Sequence, residues 1–137
     1  MLYEVKVSYK MRDENGRDVL KKEWYVLEHC DRFCEAEEKA FCDLEYDNRN
    51  ELDVTDIKRS RVKELANGRG SADDKVFLAE IKDTFTREDG TKKDIRYKIL
   101  FFALDFDKAK SFISEYIKQG YSMLLVSLKE TKFVDVL

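Results

Sequence analysis

The residues best suited to chemistry lie in one short segment, which holds four potential zinc ligands within fourteen positions: His29, Cys30, Cys34 and Cys42. Apolar residues spaced three and four apart predict a helix here, capped by Asp31. Cys34 and Cys42 would then lie about 12 Å apart along the helix axis. Two thiolates on one zinc ion lie within roughly 4 Å of each other, because each Zn–S bond is about 2.3 Å long. The spacing therefore disfavours a metal site, and the role of Cys30, Cys34 and Cys42 stays open.

A second pattern is an acidic residue two positions before a lysine, in Glu80–Lys82, with acidic residues 73 and 74 upstream. This pattern is typical of metal-dependent nucleases, whose site also needs a carboxylate on a neighbouring strand. The segment Glu4–Lys6 has the same spacing, as any solvated strand face can. The glycine-rich segment 68–71 lacks the lysine of a phosphate-binding loop. We therefore predict that the protein is not an enzyme and has no catalytic residue, metal or cofactor.

A basic run in the middle of the chain is the remaining candidate site. It places four cations within six residues: Lys58, Arg59, Arg61 and Lys63. On a strand the last three would project from one face, as a row that can follow a phosphate backbone. Trp24 or Tyr25 on a neighbouring strand would offer a base a stacking surface. The alternative interpretation is a charged edge strand that resists aggregation.

The elements that must position these residues follow from the hydrophobic periodicity. Alternation from Tyr3 to Met11 predicts a half-buried strand, and the dipeptide at 15–16, Asn-Gly, predicts a tight hairpin turn. A second strand, Val19–Leu27, precedes the helix that Asp31 caps. The helix has an apolar stripe made of Phe33, Ala36, Ala40, Phe41 and Leu44. A third strand then holds Val54, Ile57 and Val62.

The same order of elements recurs in the second half of the chain. Asp89-Gly90 takes the place of the first turn 74 positions on, Asp105 can cap a second helix, and Leu124–Val136 predicts a last strand. With a shift of 71, Ile57 falls on Leu128 and Val62 on Phe133, five residues apart in both halves. An odd spacing within one strand puts side chains on opposite faces. Both halves therefore predict a bulge, a bend, or a strand that passes from one buried environment to another.

These patterns predict an α+β fold made of an internally duplicated β-β-α-β repeat. About six strands, antiparallel or mixed, would pack with two helices. We predict a single domain in which residues 1–65 form the first repeat, residues 66–75 a linker and residues 76–137 the second repeat.

Composition narrows the function classes. Charged residues make up 40% of the chain and hydrophobic residues 43%, which is typical of a folded protein with a charged exterior. The net charge of −3 disfavours coating of DNA by bulk positive charge. No apolar run approaches the roughly 20 residues of a membrane span, and the unpaired cysteines suit a reducing compartment. We expect a cytoplasmic protein with no membrane partner.

Three segments carry a family resemblance: 3–9 (YEVKVSY), 53–61 (DVTDIKRSR) and 133–137 (FVDVL). Along its whole length the chain resembles an uncharacterised family of small proteins from Bacteroidetes and their bacteriophages, including crAss-like phages. The resemblance implies an origin in a bacterial host cell or its phage, and no activity. The cysteine-histidine set at 29–42 departs from the family pattern.

Two functional hypotheses follow from these observations. The first is a small binding protein of phage or mobile-element origin that holds single-stranded DNA or RNA through the basic strand and Trp24 or Tyr25. The second is a protein-interaction module that engages a host or replication protein. Pairing of exposed edge strands into a homodimer fits either hypothesis, and so does a monomer.

Overall fold

The computed structural model describes residues 2–44, 50–120 and 122–137, whose helices and strands form two units. The strands and helices are, in chain order, β1 (Tyr3–Arg12), β2 (Asp18–Leu27), α1 (Phe33–Leu44), β3 (Asn50–Arg59), β4 (Glu64–Leu65), β5 (Lys75–Thr86), β6 (Lys92–Ala103), α2 (Phe106–Lys118), β7 (Met123–Glu130) and β8 (Phe133–Val136). Unit 1 takes the described residues up to Ser60 together with Lys132–Leu137, and unit 2 is Arg61–Thr131. The predicted α+β class with two helices is confirmed.

Unit 1 is a mixed sheet with the strand order β3-β1-β2-β8, in which β8 runs parallel to β2 and the other pairs are antiparallel. The alternation in β1 buries Tyr3, Val5 and Val7 completely. They pack with the helix residues Ala36 and Ala40, whose small side chains let α1 approach the sheet closely. The intervening residues of β1 therefore lie on the face opposite α1.

Unit 2 has the corresponding order β7-β5-β6-β4, with β4 parallel to β6. Its core is richer in aromatic rings, since Phe101 stacks on Phe77 at 5.9 Å and on Phe112 of α2 at 4.6 Å. The predicted cap of α2 is confirmed, because the Asp105 carboxylate accepts a hydrogen bond from the backbone N–H of Lys108 at 2.8 Å.

The two sheets share their pairing registers. In the hairpins, Val5 pairs with Tyr25 and Ala79 pairs with Ile99, so one shift of 74 relates both pairs. The pairing of the third strand slips between residues 6 and 7 in unit 1 and between residues 80 and 81 in unit 2, which is again a shift of 74. The fourth strands also match, because the pair Tyr25–Asp135 corresponds to Ile99–Glu64 by shifts of 74 and 71.

The predicted third and last strands are both interrupted, so the described residues contain eight strands rather than about six. β3 ends at Arg59, and the chain then pairs with the other sheet, where the backbone N–H of Lys63 donates to the carbonyl of Lys98 at 2.8 Å. β7 likewise ends at Glu130, and β8 begins at Phe133 beside β2. The odd spacing of apolar residues thus marks the point where the chain passes from one sheet to the other.

The first residues of the segment predicted as a linker, 66–75, contact β6 within unit 2. Asn67 binds both backbone groups of Phe102, accepting from its N–H at 2.7 Å and donating to its carbonyl at 3.1 Å. The Arg69 guanidinium lies 4.7 Å from the ring centroid of Phe102. These contacts give the segment a fixed path along β6.

Both hairpins close through the same turn. Gly16 has a φ of 75° and Gly90 a φ of 86°, and each donates its backbone N–H to the carbonyl three residues earlier. Residues other than glycine adopt this left-handed conformation only at a cost, because Cβ approaches a carbonyl oxygen. The turns therefore help to fix the register of each hairpin.

We expect Gly90→Ala to lower the free energy of unfolding by about 1 kcal/mol because alanine must adopt the left-handed conformation. Gly68→Ala is the matched control, since Gly68 has open space around its Cα and no positive φ. Urea unfolding followed by far-UV circular dichroism measures both. Equal stability of the two variants would contradict the role given to the turn.

Candidate functional site

The predicted basic row is not a row on one strand. Lys58 and Arg59 form the end of β3 in unit 1, whereas Arg61 and Lys63 lie beyond that strand in unit 2. The prediction was wrong because it extended the two-residue period of β3 past the point where β3 ends at Arg59.

Lys58 and Arg59 also project from opposite faces of the sheet. Arg59 pairs with Tyr3, so it lies on the α1 side, where its guanidinium is 5.9 Å from the ring centroid of Phe33. Lys58 pairs with Glu4 on the other face. Only Lys58 of the predicted run therefore shares a face with Trp24.

Trp24 and Tyr25 also project from opposite faces of the sheet. Tyr25 is 2% exposed and belongs to the core under α1, with its hydroxyl donating to a Glu23 carboxylate oxygen at 3.2 Å. It has no free ring face for a base, and its prediction as a stacking residue is wrong. Trp24 is half-buried and lies on the opposite face of β2.

Trp24 forms one wall of a cleft of about 220 Å³ on that face of unit 1. The cleft is lined by Glu4, Val5, Lys6, Trp24, Asp56, Lys58 and Lys132. Two ammonium groups lie over the indole, Lys132 Nζ at 4.5 Å and Lys6 Nζ at 5.4 Å from its centroid. A cation at such a distance is attracted by the negative face of the ring. We call this site the Trp24 cleft.

The strand registers place these side chains together. Lys6 lies between Asp56 on β3 and Trp24 on β2, since it pairs with both. β8 adds Lys132, because Phe133 pairs with Trp24. The cleft thus combines residues that are more than a hundred positions apart in the sequence.

The charges of the cleft are mixed, with three ammonium groups and two carboxylates. In the described ranges neither Glu4 nor Asp56 forms an ion pair with a nitrogen within 4.0 Å. Lys6 and Lys132 contact the indole instead of the acids. The site therefore offers an aromatic face, cations and uncommitted hydrogen-bond acceptors in one small volume.

Sequence reasoning missed Lys6, Lys132, Glu4 and Asp56. A two-residue turn at Asn15-Gly16 would put Lys6 opposite Tyr25, whereas the observed turn is one residue longer and puts Lys6 opposite Trp24. The sequence around Lys132 carries no signal of its position, because that position depends on pairing between distant strands.

Unit 2 has no such site at the corresponding positions. The hairpin shift of 74 places Lys98 at the position of Trp24 and Leu78 at that of Glu4. The third-strand shift of 71 places Ser127 at the position of Asp56 and Lys129 at that of Lys58. Only the lysine on the third strand is kept, so the Trp24 cleft is a feature of unit 1.

The cysteines lie apart from this cleft. Cys30 is buried, which raises the pKa of its thiol, and its Sγ lies 3.5 Å from the Glu28 carbonyl oxygen. Cys34 and Cys42 are exposed on α1. Across residues 2–44, 50–120 and 122–137, no three His, Cys, Asp or Glu side chains gather in a way that could hold a metal ion. None of the helices in these ranges is long and apolar enough to cross a membrane.

Near Lys63 in unit 2, a tyrosine and a glutamate form a hydrogen bond. The Tyr116 hydroxyl donates to a Glu64 carboxylate oxygen at 2.9 Å, and Lys63 Nζ lies 4.3 Å from the ring centroid of Tyr97. Burial, and next the bond to Glu64, raise the pKa of Tyr116 well above its ordinary value of 10.0. The pair joins α2 to β4, because Glu64 begins that short strand.

A protein-family model matches the chain along its length. The model of a family described as a domain of unknown function (DUF4494) matches residues 1–137, the whole chain. No curated protein and no solved structure matches the chain.

The Tyr116–Glu64 pair predicts a loss of stability at alkaline pH. The raised pKa means that folding favours the protonated phenol, so the stabilisation is complete below about pH 10 and falls as the unfolded tyrosine ionises above it. The difference in unfolding free energy between the wild type and Tyr116→Phe should shrink from about pH 9 to about pH 12. Glu64→Gln should weaken this dependence. Denaturant unfolding at each pH measures this free-energy difference, and a difference that stays constant with pH would contradict the prediction.

Proposed function

The chain belongs to the family described as a domain of unknown function (DUF4494), and we propose that it is a non-enzymatic protein that binds single-stranded nucleic acid in the Trp24 cleft. One observation carries the proposal: the ammonium groups of Lys6, Lys58 and Lys132 line the same cleft as the indole. Sites for single strands combine these two elements, a cationic groove for the phosphates and an aromatic ring for the bases.

The contact energies favour replacement of an ammonium group by a base on the indole of Trp24. A cation over an exposed aromatic ring contributes about 0.5–1 kcal/mol, whereas a base stacked on such a ring contributes about 1–3 kcal/mol. A base can therefore displace the ammonium group of Lys6 or Lys132 from the indole. The released ammonium group is then available to a phosphate, so the same side chain serves both states.

A single strand fits this site better than a duplex. In a duplex both faces of each base are already stacked, so an indole gains access only after unstacking, which costs a few kcal/mol per step. In a single strand the base can leave its neighbours at lower cost. The cleft holds one aromatic wall, and we expect it to stack one base.

The origin and the history of the chain are part of the proposal. We infer an internal duplication, supported by the shared strand order, pairing registers and turn bonds of the two units. We infer an origin in Bacteroidetes or their phages from the resemblance of the segments 3–9, 53–61 and 133–137. A cytoplasmic location in the bacterial host cell accords with this origin.

A second candidate function, a protein-interaction module for a host or replication protein, is favoured by the edge strand β7. Three consecutive apolar side chains are exposed on it, Leu124 at 61%, Leu125 at 39% and Val126 at 41%. The corresponding residues of β3 in unit 1 are Asp53, Val54 and Thr55. Edge strands usually carry charges that prevent pairing with other chains. β7 lacks this protection in its first half and could accept an extended segment of a partner protein as a fifth strand.

The first proposal predicts salt-sensitive binding that depends on Lys58. The logarithm of the binding constant for a fluorescent single-stranded oligonucleotide should fall linearly with the logarithm of salt concentration, since cations are released from the phosphates. Lys58→Glu should weaken binding roughly tenfold and reduce the magnitude of the salt slope by about one. Fluorescence anisotropy across a salt series measures both quantities.

The matched control for Lys58→Glu is Lys129→Glu. Lys129 is also exposed and occupies the corresponding position of unit 2, so the variant makes the same charge change on an equivalent strand. At physiological ionic strength this variant should bind with an affinity within about twofold of the wild type, because salt largely screens interactions between exposed charges that are not in contact. Equal losses in the two variants would show that bulk charge, and not the Trp24 cleft, is responsible.

The second candidate function predicts that Leu124 is needed to hold a partner. Leu124→Lys places a charge near the start of β7 and should abolish co-purification of the partner from host lysate. Leu20→Lys is the control, because Leu20 is 58% exposed but lies on β2 in unit 1. A set of bound proteins that is identical for both variants would contradict a docking role of β7.

A further inference from the structure

We propose that Glu4 and Asp56 make the Trp24 cleft selective for bases that carry an exocyclic amino group, cytosine, adenine or guanine, over thymine and uracil. This inference rests on the proposed binding of single-stranded nucleic acid. It concerns the edge of the base that stacks on the indole, while the lysines contact the backbone.

The two carboxylates lie where the edge of a stacked base would reach. Across the sheet, Asp56 on β3, Lys6 on β1 and Trp24 on β2 form one row of paired residues. Glu4 lies two residues before Lys6 and therefore on the same face, and it also lines the cleft. A base that displaces Lys6 from the indole lies above β1. Its edge then points toward β3, which is about 5 Å from β1 in the direction across the sheet.

Carboxylates can bind selectively to base edges that carry an amino group. An ionised carboxylate only accepts hydrogen bonds, so it binds the amino groups N4 of cytosine, N6 of adenine and N2 of guanine. Thymine and uracil have no amino group. Their carbonyl oxygen O4 takes the place of N4 of cytosine and N6 of adenine and repels a carboxylate, and their one N–H donor on this edge, N3, lies between two carbonyl oxygens. Because Glu4 and Asp56 form no ion pair within the described ranges, their oxygens are available to such donors.

The acids would be a disadvantage in a site that bound only phosphates. Each one repels the backbone of the ligand and offsets one of the three lysines. In unit 2, where Lys98 replaces the indole, the corresponding positions hold Leu78 and Ser127. Within this chain the two acids therefore accompany the aromatic ring, as expected if they act on the base that the ring holds.

The experiment uses the intrinsic fluorescence of Trp24, which is the only tryptophan in the chain. The full-length protein is titrated with oligo-dC and with oligo-dT of equal length, at a mildly alkaline pH that keeps cytosine unprotonated. We expect oligo-dC to quench the fluorescence with roughly tenfold higher affinity, the lower range for one good contact to a base edge. Asp56→Asn together with Glu4→Gln should reduce this ratio to about two or less, because an amide can donate to O4 as well as accept.

Asp53→Asn is the matched control. Asp53 lies on the same strand as Asp56 but pairs with Ser8 and is not part of the cleft lining, so its change should leave the ratio intact. Equal affinities of the wild type for the two oligonucleotides would overturn the selectivity and leave the proposed binding standing. A preference for oligo-dC that survives in the double variant would overturn the role of the two acids. If neither oligonucleotide quenches the fluorescence of Trp24 and neither binds in the anisotropy assay, the proposed function itself is overturned.

Discussion

The docking of a fourth strand on each sheet is the interaction on which the rest of the structure depends. In unit 1 the backbone N–H of Leu137 donates to the carbonyl of Val26 at 2.7 Å, and in unit 2 Ala66 donates to Leu100 at 2.8 Å. Both pairings are short and parallel, and parallel pairs contribute slightly less per residue than antiparallel ones. They nevertheless determine which segments share a unit, because they bring residues 132–137 to unit 1 and residues 61–65 to unit 2. The Trp24 cleft follows from this docking, since Lys132 reaches the indole only when β8 lies beside β2.

The elements that could be predicted from the sequence are those fixed by neighbouring residues. Alternation located β1, turn chemistry located both hairpins, and Asp105 marked the start of α2. The row of cations could not be predicted correctly in the same way. A two-residue period gives the side of a side chain only while the strand continues, and β3 ends at Arg59, between the first and second members of the supposed row. The face of the sheet also decides which aromatic residue a base can reach, because Trp24 and Tyr25 are adjacent on β2 and therefore lie on opposite faces.

Lys132 shows why the rest of the site required the structure. The sequence shift of 71 makes Lys132 the counterpart of Arg61, which was one of the predicted binding residues. The counterpart, and not Arg61, contacts Trp24, because the fourth strand of each sheet comes from the other half of the chain. Pairing between distant segments leaves no local periodicity in the sequence. A predicted repeat therefore indicated which residues were equivalent without indicating which sheet each would join.

The difference between the surfaces of the two units follows from the separation of backbone and side-chain roles in a sheet. Strand registers are maintained by main-chain hydrogen bonds, bulges and turns, which place few demands on side chains that face away from the helix. Those side chains differ at corresponding positions: Trp24 and Lys98, Asp56 and Ser127, Asp53 and Leu124. In unit 1 they produce a charged cleft with an aromatic wall, and in unit 2 an apolar edge strand. The two surfaces lie on different units and share no residue. The two proposed functions therefore depend on separate sets of side chains.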